Sequence, residues 1–538
     1  MKTSEAAALT GVYPLRISRQ SRRSFLQLAS LGAADLCLDP QHLLGAPSAT
    51  PSALITTSFG TLRGETSPDG IHIFRGVPFA QPPVGPLRFR PPLPPEPWTG
   101  TRDATAFAAA ATQPGDIHSG EDCLYLNIWS PAKTGSHPVF VWIHGGGYTG
   151  GRASAPIFHG SSFAREGIVL VTVAYRLGVF GFMDLEPLLG PSFADSGNNA
   201  IRDLIAALHW VQGNITAFGG DPARVTVGGE SAGAKAAAAL MATPEARTLF
   251  HSVISESGGG ERVLTHAEAA TVAHSFGDAW RRDHPASSSA TDIFDDLLAA
   301  PARSLIETQG RVIEASSIHF PFRPEIHTEG GRILLPARPV DLVTAGSAKG
   351  KRLLIGSNRD ESALFLGPHP SADPTPQDLG NLSLARFNEV FARYTALYPD
   401  MPAYQRRIRA VTAEEYWIPS VRLADAHTHA GGTTWMYRLD FSEPTGKYAT
   451  EAYHSIDLGL VWNKLDGAEQ ADAAAQQLAH AMHAAWCAFI RGEAPAAAGL
   501  PTWPEYHPST RATMILSRNS HVDQQPLEAE LRLWDDIL

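Results

Sequence analysis

The run Gly229-Glu230-Ser231-Ala232-Gly233 constrains this chain more than any other feature. It follows a short apolar run, Val225-Thr226-Val227, and opens an alanine-rich stretch from Ala234 to Leu240. Strand, sharp turn and helix is the context in which Gly-x-Ser-x-Gly holds a serine at the tip of a strained turn. The glycines are needed because side chains flanking so tight a turn would clash. The serine oxygen is left exposed above a helix N-terminus, a geometry suited to making and breaking acyl-enzyme bonds. The same five residues also fit a plain glycine-rich turn, so the rest of the chain must supply the other parts of such a site.

An acyl-transfer site needs donors for the oxyanion, a base for the serine and a group that orients the base. His144-Gly145-Gly146-Gly147 follows the apolar run Val139 to Ile143. Successive glycines let backbone N–H groups approach a ligand without obstruction. A donor from this loop, with the N–H of Ala232, would form an oxyanion hole; the alternative is a flexible glycine turn. Downstream of Ser231 come Asn358-Arg359-Asp360-Glu361 and Tyr453-His454-Ser455-Ile456-Asp457. That is the chain order Ser, Asp/Glu, His of α/β-hydrolases. Order alone leaves His454 one of 21 histidines, and leaves Glu361 and Asp360 as rival acids.

The chain has 538 residues, 43% of them hydrophobic, enough for a large core. Its net charge of -11 and the lack of a basic block give no support to nucleic-acid binding. Val139 to Ile143 and Ile168 to Val173 are nearly continuous apolar runs, as in strands buried on both faces. Leu124 to Trp129 alternates as a strand, Leu353 to Ile355 is a further short strand, and residues 50–66 and 71–80 read as short strands with Gly60, Gly64 and Gly76 at turns. Residues 200–212 and 471–491 carry helical periodicity. Residues 81–97 are proline-rich and read as an extended segment. Strands alternating with helices predict an α/β fold with a mostly parallel sheet. About 260–345 breaks that rhythm with amphipathic stretches, read as an inserted helical cap.

Residues 1–49 read as an export signal and linker. Ser21-Arg22-Arg23-Ser24-Phe25-Leu26 has the twin-arginine form, followed by an apolar run from Leu26 to Leu36 that Asp35 interrupts. That run is too short to span a bilayer. Cleavage near Ala46 or Ala49 gives a mature chain starting at about 47–50, in the periplasm or secreted; a chance Arg-Arg pair in a tail would leave the protein cytoplasmic. There are three cysteines, Cys37, Cys123 and Cys487, with no zinc-type spacing and too few for a disulfide scaffold.

Long stretches resemble the type-B carboxylesterases, the family that includes carboxylesterases and cholinesterases. Glu121 to Pro131 matches one signature of that family, and Phe218 to Pro222 with Val225 to Ala234 matches its serine signature. Arg75 to Ala80, Ser196 to Asn199 and Trp503 to Tyr506 match as well, so the resemblance spans about 52–537. It implies an α/β-hydrolase fold, with 50–538 a single catalytic domain. It implies that Ser231 is the nucleophile, Glu361 the acid and His454 the base, with Gly146, Gly147 and Ala232 as oxyanion donors and Asp360 as a minor alternative acid. The implied reaction is hydrolysis of a small-molecule carboxylic ester, without metal or organic cofactor. Short-chain and aryl esters are the default, and specialised polyester, xenobiotic or toxin esters stay open. Trp142, Tyr148, Phe158, Phe320, Phe322 and Trp462 are candidate pocket-lining residues, with an ordinary core or surface position as the alternative for each. Two other readings remain: an inert adhesion-type member of the fold, and an amidase, which matched ester and anilide substrates would distinguish. Two departures stand out. The family's cysteine partner for Cys123 is missing from the Ala109 to Pro114 neighbourhood, which predicts a buried free thiol. Ser362 replaces the usual glycine, which predicts a local backbone adjustment.

Overall fold

Alternating apolar runs build a large sheet from β1 (Ser52–Thr57), β2 (Gly60–Thr66), β3 (His72–Pro78), β4 (Thr101–Asp103), β7 (Tyr125–Ser130), β8 (His137–Ile143), β9 (Val169–Val173), β10 (Gly220–Glu230), β11 (Ser252–Glu256), β12 (Arg352–Asn358), β13 (Thr433–Leu439), β14 (Thr513–Leu516) and β15 (His521–Asp523). The two short strands β5 (Ala110–Ala111) and β6 (Ser119–Gly120) pair separately. The computed structural model describes residues 52–116, 118–131, 134–285, 289–328, 333–367 and 381–537. The expected export signal of residues 1–49, with Cys37, lies outside the described residues.

The strand order is β1-β2-β3-β7-β9-β8-β10-β11-β12-β13-β14-β15, with β4 against β2. Every neighbouring pair from β9 through β14 is parallel, and both ends of the sheet are antiparallel. This is the α/β-hydrolase architecture. Side chains alternate across each strand. Val139, Val141, Ile143, Val225 and Val227 enter a core on one face, with α1 (Asn199–Asn214) and α2 (Ala232–Ala242). Phe140 and Trp142 enter the core on the other. Every residue of α2 is buried, and its run of alanines lets the helix lie close against the sheet. Three helices follow β11: α3 (His266–Asp283), α4 (Ala290–Ala299) and α5 (Ala302–Ala315). Thr265 and Glu268 form a capping box at the start of α3. On the first face α6 (Ile418–His429) adds Val421 and Leu423, and on the second α7 (Ala473–Ile490) presents Leu478, Met482, Trp486 and Phe489.

Gly60 stands at the β1–β2 turn as expected, paired with Thr57 across Ser58 and Phe59, whereas two other glycines differ from the sequence expectation. Gly64 lies inside β2, where a Cβ would come 2.4 Å from Ile73 O. Gly76 stands at φ +65°, where β3 shifts register against β7 between Phe74 and Val77. These positions serve close strand contact and a bulge rather than turns. Strands β11, β13 and β14 add to those expected from sequence.

One buried ion pair ties the loop after β9 to α1. Arg176 Nε and Nη2 donate to Asp203 at 2.8 and 2.7 Å, and Nη1 reaches Arg90 O at 2.7 Å. Both side chains are almost wholly enclosed. Removing one partner of such a pair strands the other charge in the interior. Arg176→Ala is therefore expected to cost about 3–5 kcal/mol, read from the urea midpoint at unchanged m. A loss below about 1 kcal/mol, the range of exposed pairs, would contradict this account.

Candidate active site

Ser231 is the one residue between the end of β10 and the start of α2. Its backbone sits at φ +56°, ψ -121°, a region that costs a non-glycine residue about 1–3 kcal/mol. The neighbours hold it there: Ser231 N–H donates to Glu256 O at 2.8 Å, and Ser231 O accepts from Lys235 N–H at 3.0 Å. The flanking glycines are required by the adjacent strand as much as by the turn. A Cβ on Gly229 would come 2.5 Å from Ile143 O, and one on Gly233 would come 2.0 Å from the same oxygen. Ala232 opens the helix, so its N–H has no intrahelical acceptor.

The glycine loop after β8 lies directly against this turn. A Cβ on Gly145 would meet Glu230 Oε2 at 2.7 Å and Ser231 Cβ at 3.1 Å. Gly146 and Gly147 have φ of +112° and +60°, and a Cβ on Gly146 would fall 2.2 Å from Gly150 O. Among the described residues no acceptor takes the N–H of Gly146 or Gly147. The loop is braced beneath by Tyr175, whose hydroxyl donates to His144 O at 2.8 Å.

Glu361 and His454 meet beside the turn. His454 Nδ1 is 2.6 Å from Glu361 Oε2. The other oxygen of Glu361 accepts from Asn358 N–H at 2.7 Å and from the Ser257 hydroxyl. Glu361 is fully buried, and its carboxylate is held at both ends. Asp360 is elsewhere: its Oδ2 pairs with Arg359 at 2.7 Å and accepts from Ala452 N–H at 3.0 Å. Ser362 has φ -73°, ψ -9°, an ordinary right-handed conformation, so the missing glycine requires no backbone adjustment. Cys123 is a buried free thiol.

The carboxylesterase family model matches residues 51–534. The chain belongs to this family. The para-nitrobenzyl esterase of Bacillus subtilis (strain 168) is 36% identical over 500 residues, covering 89% of this chain and 97% of the relative. The fumonisin B1 esterase of Sphingopyxis macrogoltabida is 32% identical over 489 residues, covering 86% of each. A solved para-nitrobenzyl esterase structure superposes with a TM-score of 0.79 at 34% identity, covering 89% of this chain and 99% of the other. The protein is thus a carboxylic-ester hydrolase of the serine type.

In this carboxylesterase the imidazole faces two carboxylates. His454 Nε2 lies 3.1 Å from Glu230 Oε1, which also accepts from the Ser455 hydroxyl at 2.7 Å. Burial works against the imidazolium, but Glu230 and Glu361 outweigh it and push the His454 pKa up to about 9. Burial also raises Glu230, and His454 works against that rise. Behind this pair, burial and the Glu230 and Glu361 charges push Asp457 up to about 7, and burial raises Glu256 well above the carboxylate range. Glu230, Ser257, Ser455 and Asn358 were not singled out as site residues from sequence. The signal available was position: Glu230, Ser257 and Asn358 stand at the C-terminal ends of parallel strands, where α/β sheets gather their ligands.

The aromatic expectations divide. Trp142, Phe158 and Trp462 pack on one another at 5.2–5.5 Å in the second core and line no site. Phe320 does face the site, since a Cβ on Gly147 would touch its ring at 3.2 Å. Tyr148 packs on Phe182, and Phe322 is fully buried. Phe365 and Tyr416 lie 5.1 and 4.9 Å from the His454 ring. Tyr416 belongs to a π-helical turn, Ala413–Trp417, that also carries Glu414 and Glu415. Lys235 pairs with Glu415, and Arg262 reaches Glu414 at 3.0 Å and Glu415 at 3.5 Å, so the wall beyond the ring is a buried charge network.

Replacing Glu230 by Gln removes the negative charge facing Nε2. The His454 pKa should fall, and the acidic limb of the kcat/KM–pH profile should move to lower pH, because less alkaline solution then frees the neutral imidazole. Imidazole NMR together with the pH profile checks this. A limb that stays in place or moves to higher pH would show that Glu230 does not raise the His454 pKa.

Proposed function

We propose that Ser231 attacks the ester carbonyl while His454 takes its proton through Nε2. The oxyanion is received by the N–H groups of Gly146, Gly147 and Ala232. Glu361 fixes the imidazole tautomer through Nδ1 and stabilises the imidazolium. His454 then protonates the leaving alcohol, and the same imidazole activates the water that releases the acid. The chief support is the 2.6 Å bond between His454 Nδ1 and a fully buried Glu361, next to a serine held in a strained strand-to-helix turn. In the resting arrangement Nε2 points at Glu230. Breaking that contact in favour of Ser231 Oγ is part of readying the base.

Short-chain and aryl esters are the substrates this reading favours. Two rings, Phe365 and Tyr416, flank the imidazole, and one relative is named for para-nitrobenzyl esters. The 50–538 region acts as one catalytic unit, with the helices of about 260–345 as its cap. The twin-arginine form of residues 21–26 supports export as a folded protein, and among the described residues no helix is long and apolar enough to cross a membrane.

Ser231→Ala is expected to lower kcat at least about 10^4-fold with an unchanged circular dichroism spectrum. A fluorophosphonate probe should add its mass to the Ser231 peptide of the parent protein and not to the variant. Retained turnover in the variant, or labelling of another serine, would overturn the assignment. For export, the native protein should begin at about residue 47–50 by intact mass; a chain still starting at Met1 would refute it.

A further inference from the structure

A second cluster of polar side chains lies away from Ser231, where the helical insertion meets the sheet domain. Asp184 and Glu186 stand on the loop and short helix after β9. His266 is the first residue of α3. His327 lies 61 residues further along the chain, yet the backbone brings the two histidines together. Leu264 N–H donates to Pro324 O at 2.8 Å, Ile326 N–H donates back to Leu264 O at 2.7 Å, and His327 N–H donates to Leu335 O at 3.0 Å. The imidazole rings meet edge to face with centroids 4.9 Å apart.

Asp184, His266 and His327 each bring one donor atom within 4.8 Å of the other two. Asp184 Oδ2 is 3.7 Å from His266 Nδ1, and His327 Nε2 is 3.4 Å from Glu186 Oε2. These separations are long for hydrogen bonds and close to the edges of a coordination tetrahedron. Donors about 2.1 Å from a four-coordinate ion stand about 3.4 Å apart. Asp184 and His327 are each only 2% exposed. Asp184 Oδ1 accepts from Glu186 N–H at 3.0 Å, but Oδ2 makes no hydrogen bond, and neither does either ring nitrogen of His327. Buried polar atoms rarely go without a partner, so this pocket of unmet donors and acceptors asks for a ligand.

We propose that Asp184, His266 and His327, with Glu186 as fourth donor, bind one divalent cation of the Zn2+ type. Two imidazoles with two carboxylates suit zinc and its first-row neighbours, whereas calcium and magnesium prefer all-oxygen shells. With Glu186, 3.4 Å from His327, drawn in as the fourth donor, no coordination position stays open, so the ion is structural: it clips the start of α3 and the 325–327 segment to the 184–186 loop. The half-exposed ring of His266 gives the ion its way in. The surroundings favour a cation. Glu325, 1% exposed, and Asp195, 2% exposed, are further buried carboxyl groups close to Asp184. A divalent charge would offset these clustered acids.

The test uses the full chain, stripped with a chelator and titrated with ZnCl2 by calorimetry and with Co2+ by visible absorption. One ion per chain, tetrahedral-type Co2+ bands and a higher thermal midpoint with zinc are expected. His327→Ala and Asp184→Asn should each weaken zinc binding at least about tenfold. Because those two positions are buried, His266→Ala, on a half-exposed ring, is measured beside them with its fold checked by circular dichroism, and the same loss is expected. Absence of binding by either ion would overturn the proposal. So would zinc binding of unchanged affinity and stoichiometry in His266→Ala and His327→Ala.

Discussion

The close approach of the end of β8 to the β10–α2 turn is the contact on which the site depends. Ile143 O sits where any Cβ on Gly229 or Gly233 would be, and the glycine loop that follows lies against Ser231 and Glu230. This one approach of backbone to backbone confines the serine to its strained conformation and lays the N–H groups of Gly146 and Gly147 alongside the turn. The parallel pairing of β8 with β10, in register from Val139–Val225 to Ile143–Gly229, brings the two ends level. The all-buried alanine helix completes the arrangement, because small side chains let α2 start directly beneath Ser231.

Around that backbone frame the site is electrostatically crowded. Glu230, Glu256, Glu361 and Asp457 are all buried near one imidazole. The imidazolium is stabilised by Glu230 and Glu361 against its own burial, and the acids behind it have raised pKa values because of burial first and neighbouring negative charge second. Glu361 is held at both oxygens by short bonds, from Ser257, Asn358 N–H and His454, whereas Asp457 has only longer ones, 3.3 Å from Asn358 Nδ2 and 3.5 Å from the Tyr437 hydroxyl. Glu361 is thus fixed firmly against the imidazole, amid neighbours that add to the local negative potential.

Much of the architecture was legible because it is carried by local patterns. The continuous apolar runs of β8 and β9 and the periodicity of α1 and α7 read as they fold, since parallel strands buried on both faces and amphipathic helices leave their period in the chain. Gly64 and Gly76 were misread as turn residues because a glycine needed for close strand contact, or for a bulge, looks the same in sequence as one needed for a turn. Trp142, Phe158 and Trp462 were offered as pocket walls, but strand alternation sends Trp142 to the opposite face, where the other two join it. A one-residue change of parity decides the face, and the apolar run around Trp142 carries no alternation to read it from.

By itself the sequence determined the strand–turn–helix around Ser231, the glycine loop upstream and the family, because these rest on short-range backbone geometry. Resemblance, rather than spacing, singled out Glu361 and His454. Only the tertiary structure decided that Glu361 and not Asp360 faces the imidazole, that Glu230 turns its carboxylate to Nε2, and that His266 and His327 meet over Asp184. Each of these depends on where distant segments lie against one another. Side-chain direction and electrostatic environment are set by those long-range contacts, which no local pattern encodes.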